Sequence, residues 1–139
     1  HEGHIASLGE AATYGHILIV GLNSDASVKR LKGDSRPINN EGSRSLLMAS
    51  LVMVDAVILF EEDTPLNLIT TILPDVLVKG GDYTIDQIVG AKEVMANGGD
   101  VKIVPILEGF STTGIIFHTN LILQIALLNA QPLNSLHLF

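Results

Sequence analysis

Four short runs of almost unbroken apolar residues, separated by stretches with helical patterning, constrain this chain more than any other feature. They lie at 16–22 (HILIVGL), 55–60 (DAVILF), 75–78 (DVLV) and 101–106 (VKIVPI). Runs of that length without polar alternation are what strands covered on both faces carry. Between them, 5–14 reads as a helix closed by Gly15, and 43–52 as a helix with Leu46, Leu47 and Leu51 on one face. Thr64-Pro65 opens a third helix, with Thr as cap and Pro in the first turn, which runs to Leu73 before Pro74. Residues 85–96 form a fourth, closed by Asn97-Gly98-Gly99, and Ser111 caps a last helix from Thr112. The order predicts an α/β fold: a three-layer, Rossmann-like parallel sheet with right-handed crossovers, in a single domain over 1–139.

The two ends of the chain strain this plan. His1 would stand at a helix N-terminus where a parallel sheet needs a strand first. The expectation is a first strand upstream of His1, missing from this sequence; the less favoured alternative is that the apolar tail fills the gap. The tail, 117–139, reads as a C-terminal helix, because 117–128 is apolar on nearly every helical face. Such a helix belongs either in the interface of a C2 homodimer or under the last residues, 133–139, folded back over it.

Composition excludes several functions. There is no cysteine, hence no disulfide, zinc-thiolate site or thiol nucleophile, which fits a reducing compartment. A net charge of −7 argues against a protein-wide nucleic-acid surface. The chain opens on polar His-Glu-Gly-His rather than a secretory leader, and its most apolar stretch, 121–128, is too short to span a bilayer. The expected setting is the cytoplasm. Neither Gly-x-x-x-x-Gly-Lys-Ser/Thr nor Gly-x-Ser-x-Gly occurs, which sets aside P-loop enzymes and most serine hydrolases.

Against that acidic background five of the eight Lys and Arg residues, Lys29, Arg30, Lys32, Arg36 and Arg44, fall within 29–44. Gly33, Ser35 and Pro37 among them favour a loop, either merely solvated or clamping a polyanion. His1-x-Gly3-His4 sets two imidazoles three residues apart at a helix start, where both can face one point. Gly3 admits a phosphate to the backbone, and the helix N-terminus adds free N–H groups. Taken alone, the pair reads more readily as exposed terminal histidines or a fortuitous metal site. Lys79-Gly80-Gly81-Asp82-Tyr83 alone is ordinary turn chemistry, and Ser111 alone is a helix cap. All of these motifs follow strand ends, where ligands bind in such sheets.

Together they carry a resemblance. His-x-Gly-His, Asn23-Ser24-Asp25, Lys32-Gly33-Asp34-Ser35-Arg36-Pro37, Val78-Lys79-Gly80-Gly81-Asp82-Tyr83 and Gly109-Phe110-Ser111-Thr112-Thr113, in that order, resemble the cytidylyltransferase-like nucleotidyltransferase superfamily. The nearest likeness is to the heptose-1-phosphate adenylyltransferases, the RfaE-type domain of ADP-heptose synthesis, and it runs from His1 to about Ile116. The resemblance implies in-line attack of a sugar 1-phosphate on the α-phosphorus of ATP, with pyrophosphate leaving and no covalent enzyme intermediate.

It further implies that His1 and His4 contact the triphosphate and stabilise the transition state, and that Lys32 or Lys29 holds the α-phosphate or the leaving group. Arg44 would brace the same region. Gly80 and Asp82 would line the nucleotide or sugar site. Ser111, Thr112 and Thr113 would hold the β- and γ-phosphates. Mg2+ would bridge phosphates with few protein ligands. Gly42 and His16 depart from the residues most relatives carry, and the family's Gly-x-Phe-Asp strand end is absent. Two alternatives stand beside this reading: a cytidylyltransferase acting on glycerol 3-phosphate or another alcohol phosphate, and a nucleotide-binding module without catalysis. Lys79-Gly80-Gly81-Asp82, where the glycerol-phosphate branch typically carries a Gly-Asp-Asp variant, favours the adenylyltransferase.

Overall fold

Strand-forming and helix-forming segments alternate along most of the chain, as their composition dictates. The computed structural model describes residues 2–105 and 123–128. Helix α1 (Glu2–Ala11) leads through a 3-10 turn to β1 (Ile17–Asn23); α2 (Asp25–Lys32) and α3 (Glu41–Ala49) precede β2 (Ala56–Phe60). Then come α4 (Leu66–Ile72), β3 (Val76–Gly80), a 3-10 turn at Ile85–Gln87, α5 (Ala91–Ala96), β4 (Asp100–Val104) and β5 (Leu123–Leu128). The five strands form one sheet in the order β2-β1-β5-β3-β4. β1 pairs with β2, and β3 with β4, in parallel.

Strand alternation assigns the two faces. Leu18, Val20, Val76, Val78 and Val104 point to one side and bury Leu8 and Ala11 of α1, with Met48 and Leu51 from α3 and its exit. Leu77 and Val101 point to the other, against Ile69 of α4 and Ala91 and Val94 of α5. The three-layer arrangement read from the sequence is therefore observed. No helix among the described residues is long and apolar enough to cross a membrane.

The tail departs from expectation. Residues 123–128 are a strand, not part of a helix, and they lie in the centre of the sheet, antiparallel to both β1 and β3. β5 thus occupies the place between β1 and β3. A central position accounts for an apolar run as fully as an interface helix would, which removes the ground on which a dimer was expected from 123–128.

Three smaller corrections follow the same physics. Residues 29–32, expected in a loop, belong to α2, whose Ser24 cap accepts the Ser27 N–H at 3.2 Å. Leu46 and Leu47 are 69% and 56% exposed, so α3 presents Met48 to the core instead. The expected helix over 85–96 is interrupted, with Gly90 in the left-handed region at φ +84° before α5 begins. The last helix, from Thr112, lies outside the described residues.

Candidate active site

The carboxyl ends of β1 and β3 define the candidate site. Each is one strand removed from the other, about 10 Å apart at ordinary strand spacing. Their relative height is fixed by β5, because Gly21 of β1 and Lys79 of β3 both pair with Gln124. Helix α1 enters at this edge. The Ser7 hydroxyl donates to the Gly3 carbonyl at 2.9 Å, and a Cβ on Gly80 would stand 3.9 Å from Ser7 Oγ. The first turn of α1, with buried Gly3 and half-buried His4, thus sits against the end of β3. His4 has an interaction partner within the protein.

At the end of β1 the backbone turns through Ser24, whose N–H donates to the Phe60 carbonyl at 2.8 Å and ties β1 to the end of β2. Asn23 donates to Ser27 Oγ at 2.8 Å, and that hydroxyl donates to the Glu62 carbonyl. The Glu41 carboxylate accepts the Asp25 N–H at 2.7 Å. These bonds lock the start of α2 to the segment that follows β2 and to α3.

The basic cluster divides by role. Arg44 is buried (1% exposed), and its guanidinium is spent inside the protein. It donates to the Asn39 carbonyl at 3.1 Å, the Asn23 carbonyl at 2.9 Å and the Asp25 carboxylate at 2.6 Å. These bonds tie α3 to the end of β1, to the start of α2 and to the segment before α3. Arg30 is likewise paired, with Asp63 at 2.7 Å and with the Glu61 carbonyl. An open cavity of about 670 Å³ beyond β2, lined by Arg30, Phe60, Glu61, Glu62 and Asn67, is too rich in carboxylates to suit a triphosphate.

Lys29, Lys32 and Arg36 remain. Lys29 is exposed, three residues before Lys32 and on the same face of α2. Partial desolvation, and after it the charge of Arg36, lowers the Lys32 pKa. Lys79, half-buried at the end of β3, is lowered chiefly by burial and then by the charge of Lys32. The charge of Arg36 thus acts on Lys32 and that of Lys32 on Lys79, and among the described residues neither lysine pairs with a carboxylate. Lys79 is the member that sequence reasoning passed over; it stood in the quoted motif, but its neighbours on either side drew the attention.

Of the residues the sequence singled out, Gly3 is linked through Ser7 to Gly80, and the charge of Lys32 acts on Lys79. Asp82 is exposed in the turn after β3. His1, Ser111, Thr112 and Thr113 lie outside the described residues. Among those described, no three of His, Asp or Glu gather in a way that would hold a metal ion.

Losing the Arg44 network has a predictable cost. Arg44→Ala strands the Asp25 carboxylate and two backbone carbonyls, and should destabilise the domain by about 3 kcal/mol. Chemical denaturation would show this as a lower midpoint at an unchanged slope. An unaltered midpoint would return Arg44 to the ligand-binding group.

The bifunctional protein HldE of Rhodospirillum rubrum is 57% identical over 116 residues, covering 84% of this chain and 23% of that protein. HldE of Nitrobacter winogradskyi is 58% identical over the same length, 84% of this chain and 24% of its own. This chain thus spans about a quarter of the length of the curated relatives it matches. The crystal structure of the lipopolysaccharide core biosynthesis protein from Thermoplasma volcanium GSS1 superposes with a TM-score of 0.59 at 33% identity, covering 76% of this chain and 85% of that one. The cytidylyltransferase-like family matches residues 1–120, which takes in α1, the whole basic stretch and the Lys79 turn, and the chain belongs to that family.

Proposed function

We propose that this domain transfers AMP from ATP to a sugar 1-phosphate, heptose 1-phosphate, with release of pyrophosphate, in making a lipopolysaccharide or other surface-glycan precursor. The observation that carries the reading is the approach of Ser7 of α1 to Gly80 at the end of β3, next to Lys79, on whose ammonium the charge of Lys32 acts. The resemblance of Lys79-Gly80-Gly81-Asp82-Tyr83 to the heptose branch supports the acceptor, as do relatives that include a lipopolysaccharide core biosynthesis protein. The proposed setting is the cytoplasm, where both substrates are small soluble anions.

The chemistry is a single displacement. An oxygen of the sugar phosphate forms a bond to the α-phosphorus, the bond from that phosphorus to the β-bridging oxygen breaks, and pyrophosphate carries away the electron pair. Little covalent work falls to the protein, so positioning and charge stabilisation dominate. His4 would donate to oxygens that gain charge as the bond breaks, and Lys32 would hold the α-phosphate or the departing pyrophosphate. His1, Ser111, Thr112 and Thr113 would complete the cradle for the triphosphate. Magnesium would arrive on the triphosphate itself; the described residues offer it no protein cage, and no step here runs through it.

Pyrophosphate release with heptose 1-phosphate, offering ATP, CTP, GTP and UTP in parallel, tests the assignment. Turnover is expected with ATP. Turnover with CTP and glycerol 3-phosphate instead would move the chain to the cytidylyl branch. Nucleotide binding without turnover on any acceptor would make it a non-catalytic module.

A further inference from the structure

The turn after β3 is built to hold one side chain. Gly81 is buried, donates its N–H to the Val104 carbonyl at 3.0 Å and has φ +131°. That conformation strains any L side chain. It also clears the space the Tyr83 ring occupies: a Cβ on Gly81 would lie 2.6 Å from Tyr83 Cε2. The ring therefore folds back against the backbone of its own turn. Lys79 Nζ sits over that ring, 5.2 Å from its centroid, within the range where a cation is drawn to an aromatic face.

The ammonium so held has no carboxylate partner among the described residues, and its nearest charged influence is another cation, Lys32. The charges of exposed Lys32 and half-buried Lys79 repel. A turn that only glycine can make and an aromatic ring hold the Lys79 ammonium where an entering anion would offset its charge. From this geometry we propose that Lys79 is a phosphate-binding residue, and that Tyr83 is the positioning residue that fixes it for that contact. Gly21 stands level with Lys79 across β5, so Lys79 lies at the height of the carboxyl end of β1. The proposal rests on the nucleotidyltransferase reading only for where the phosphate comes from, the acceptor sugar or the triphosphate of ATP.

Calorimetric titration separates these possibilities. Wild type, Lys79→Met, Lys79→Arg, Tyr83→Leu and Tyr83→Phe are each titrated with inorganic tripolyphosphate, ATP and heptose 1-phosphate, with melting temperature recorded as a check on folding. Lys79→Met should weaken binding of at least one ligand by roughly 10- to 100-fold, the loss expected of a charge-assisted hydrogen bond. Lys79→Arg should recover much of it. Tyr83→Leu should weaken the same ligand about 3- to 10-fold, the value of a cation–π contact at a partly exposed site, and Tyr83→Phe should not. Loss confined to heptose 1-phosphate assigns the acceptor's phosphate; loss shared by ATP and tripolyphosphate assigns the nucleotide's.

A folded Lys79→Met protein that binds all three as wild type does overturns the proposal, as does a wild type that binds none. If Lys79→Met fails to fold, Lys79→Gln carries the same comparison. The two readings fail separately. Phosphate binding that depends on Lys79, in a protein releasing no pyrophosphate from any nucleotide, sinks the enzymatic assignment and keeps this one. Pyrophosphate release and phosphate binding both indifferent to Lys79 do the reverse.

Discussion

His4→Ala should lower the turnover number by about 10²- to 10³-fold while changing the ATP dissociation constant by only a few-fold. The asymmetry follows from where charge appears. In the ground state the triphosphate oxygens are already anionic and can be held by lysines, the α1 N-terminus and solvent. As the bond to the leaving pyrophosphate lengthens, its oxygens gain charge, and a donor fixed at that point binds the transition state more strongly than the substrate. The first turn of α1 is fixed in this way: Gly3 is buried, its carbonyl is held by Ser7, and Ser7 abuts Gly80 at the end of β3. Steady-state pyrophosphate release together with ATP titration measures both quantities on the same preparation. Equal losses in turnover and affinity would reduce His4 to a ground-state contact. A fall in melting temperature that accounts for the lost activity would make it a structural histidine.

The strands were legible because covered strands leave no alternative to an apolar run: β1 to β4 each fall within two residues of the segments read from sequence. What failed to show did so for identifiable reasons. Helix α2 is short and polar, with only Val28 among Asp25–Lys32 wholly buried as an apolar side chain, so the periodicity that marks a core-facing helix is thin. Its one local signal was Ser24 as a cap, outweighed by the surrounding charge. The break at Gly90 depends on a neighbour distant in sequence: a Cβ there would lie 2.7 Å from Ile69, so the chain passes α4 only as glycine. No pattern confined to 85–96 contains that fact.

The site divided along the same line. Motif order located the edge where ligands would bind, but it could not tell a free cation from a spent one. Arg44 and Lys32 look alike in a basic stretch. Only the fold shows that Arg44 faces two carbonyls and the Asp25 carboxylate, while Lys32 faces Lys79. Lys79 was hidden because its value comes from Tyr83 and Gly81 acting on it, an arrangement of backbone conformation rather than of residue types.

The tail supplies the sharpest test of the fold. The helix expected over the tail rested on an apolar run alone, and a short unbroken run has no period to distinguish helix from strand. In the sheet, Ala126 stands opposite Ile19 of β1 on one side and Leu77 of β3 on the other. Every backbone N–H of a central strand points into a ladder, so Ala126→Pro must delete a bond and force the ring into a neighbour. The domain should lose roughly 3 kcal/mol or more, a large fraction of the total stability of a protein this size. Denaturant unfolding monitored by circular dichroism would register it as a strong downward shift of the midpoint. The damage should reach the site as well, because Gln124 alone joins Gly21 to Lys79 and sets the heights of the two strand ends that carry it. Phosphate affinity should therefore fall together with stability in Ala126→Pro, whereas Lys79→Met should lower affinity at an unchanged midpoint. A midpoint unmoved by Ala126→Pro would place 123–128 outside the sheet, and β1 and β3 would then need another strand between them.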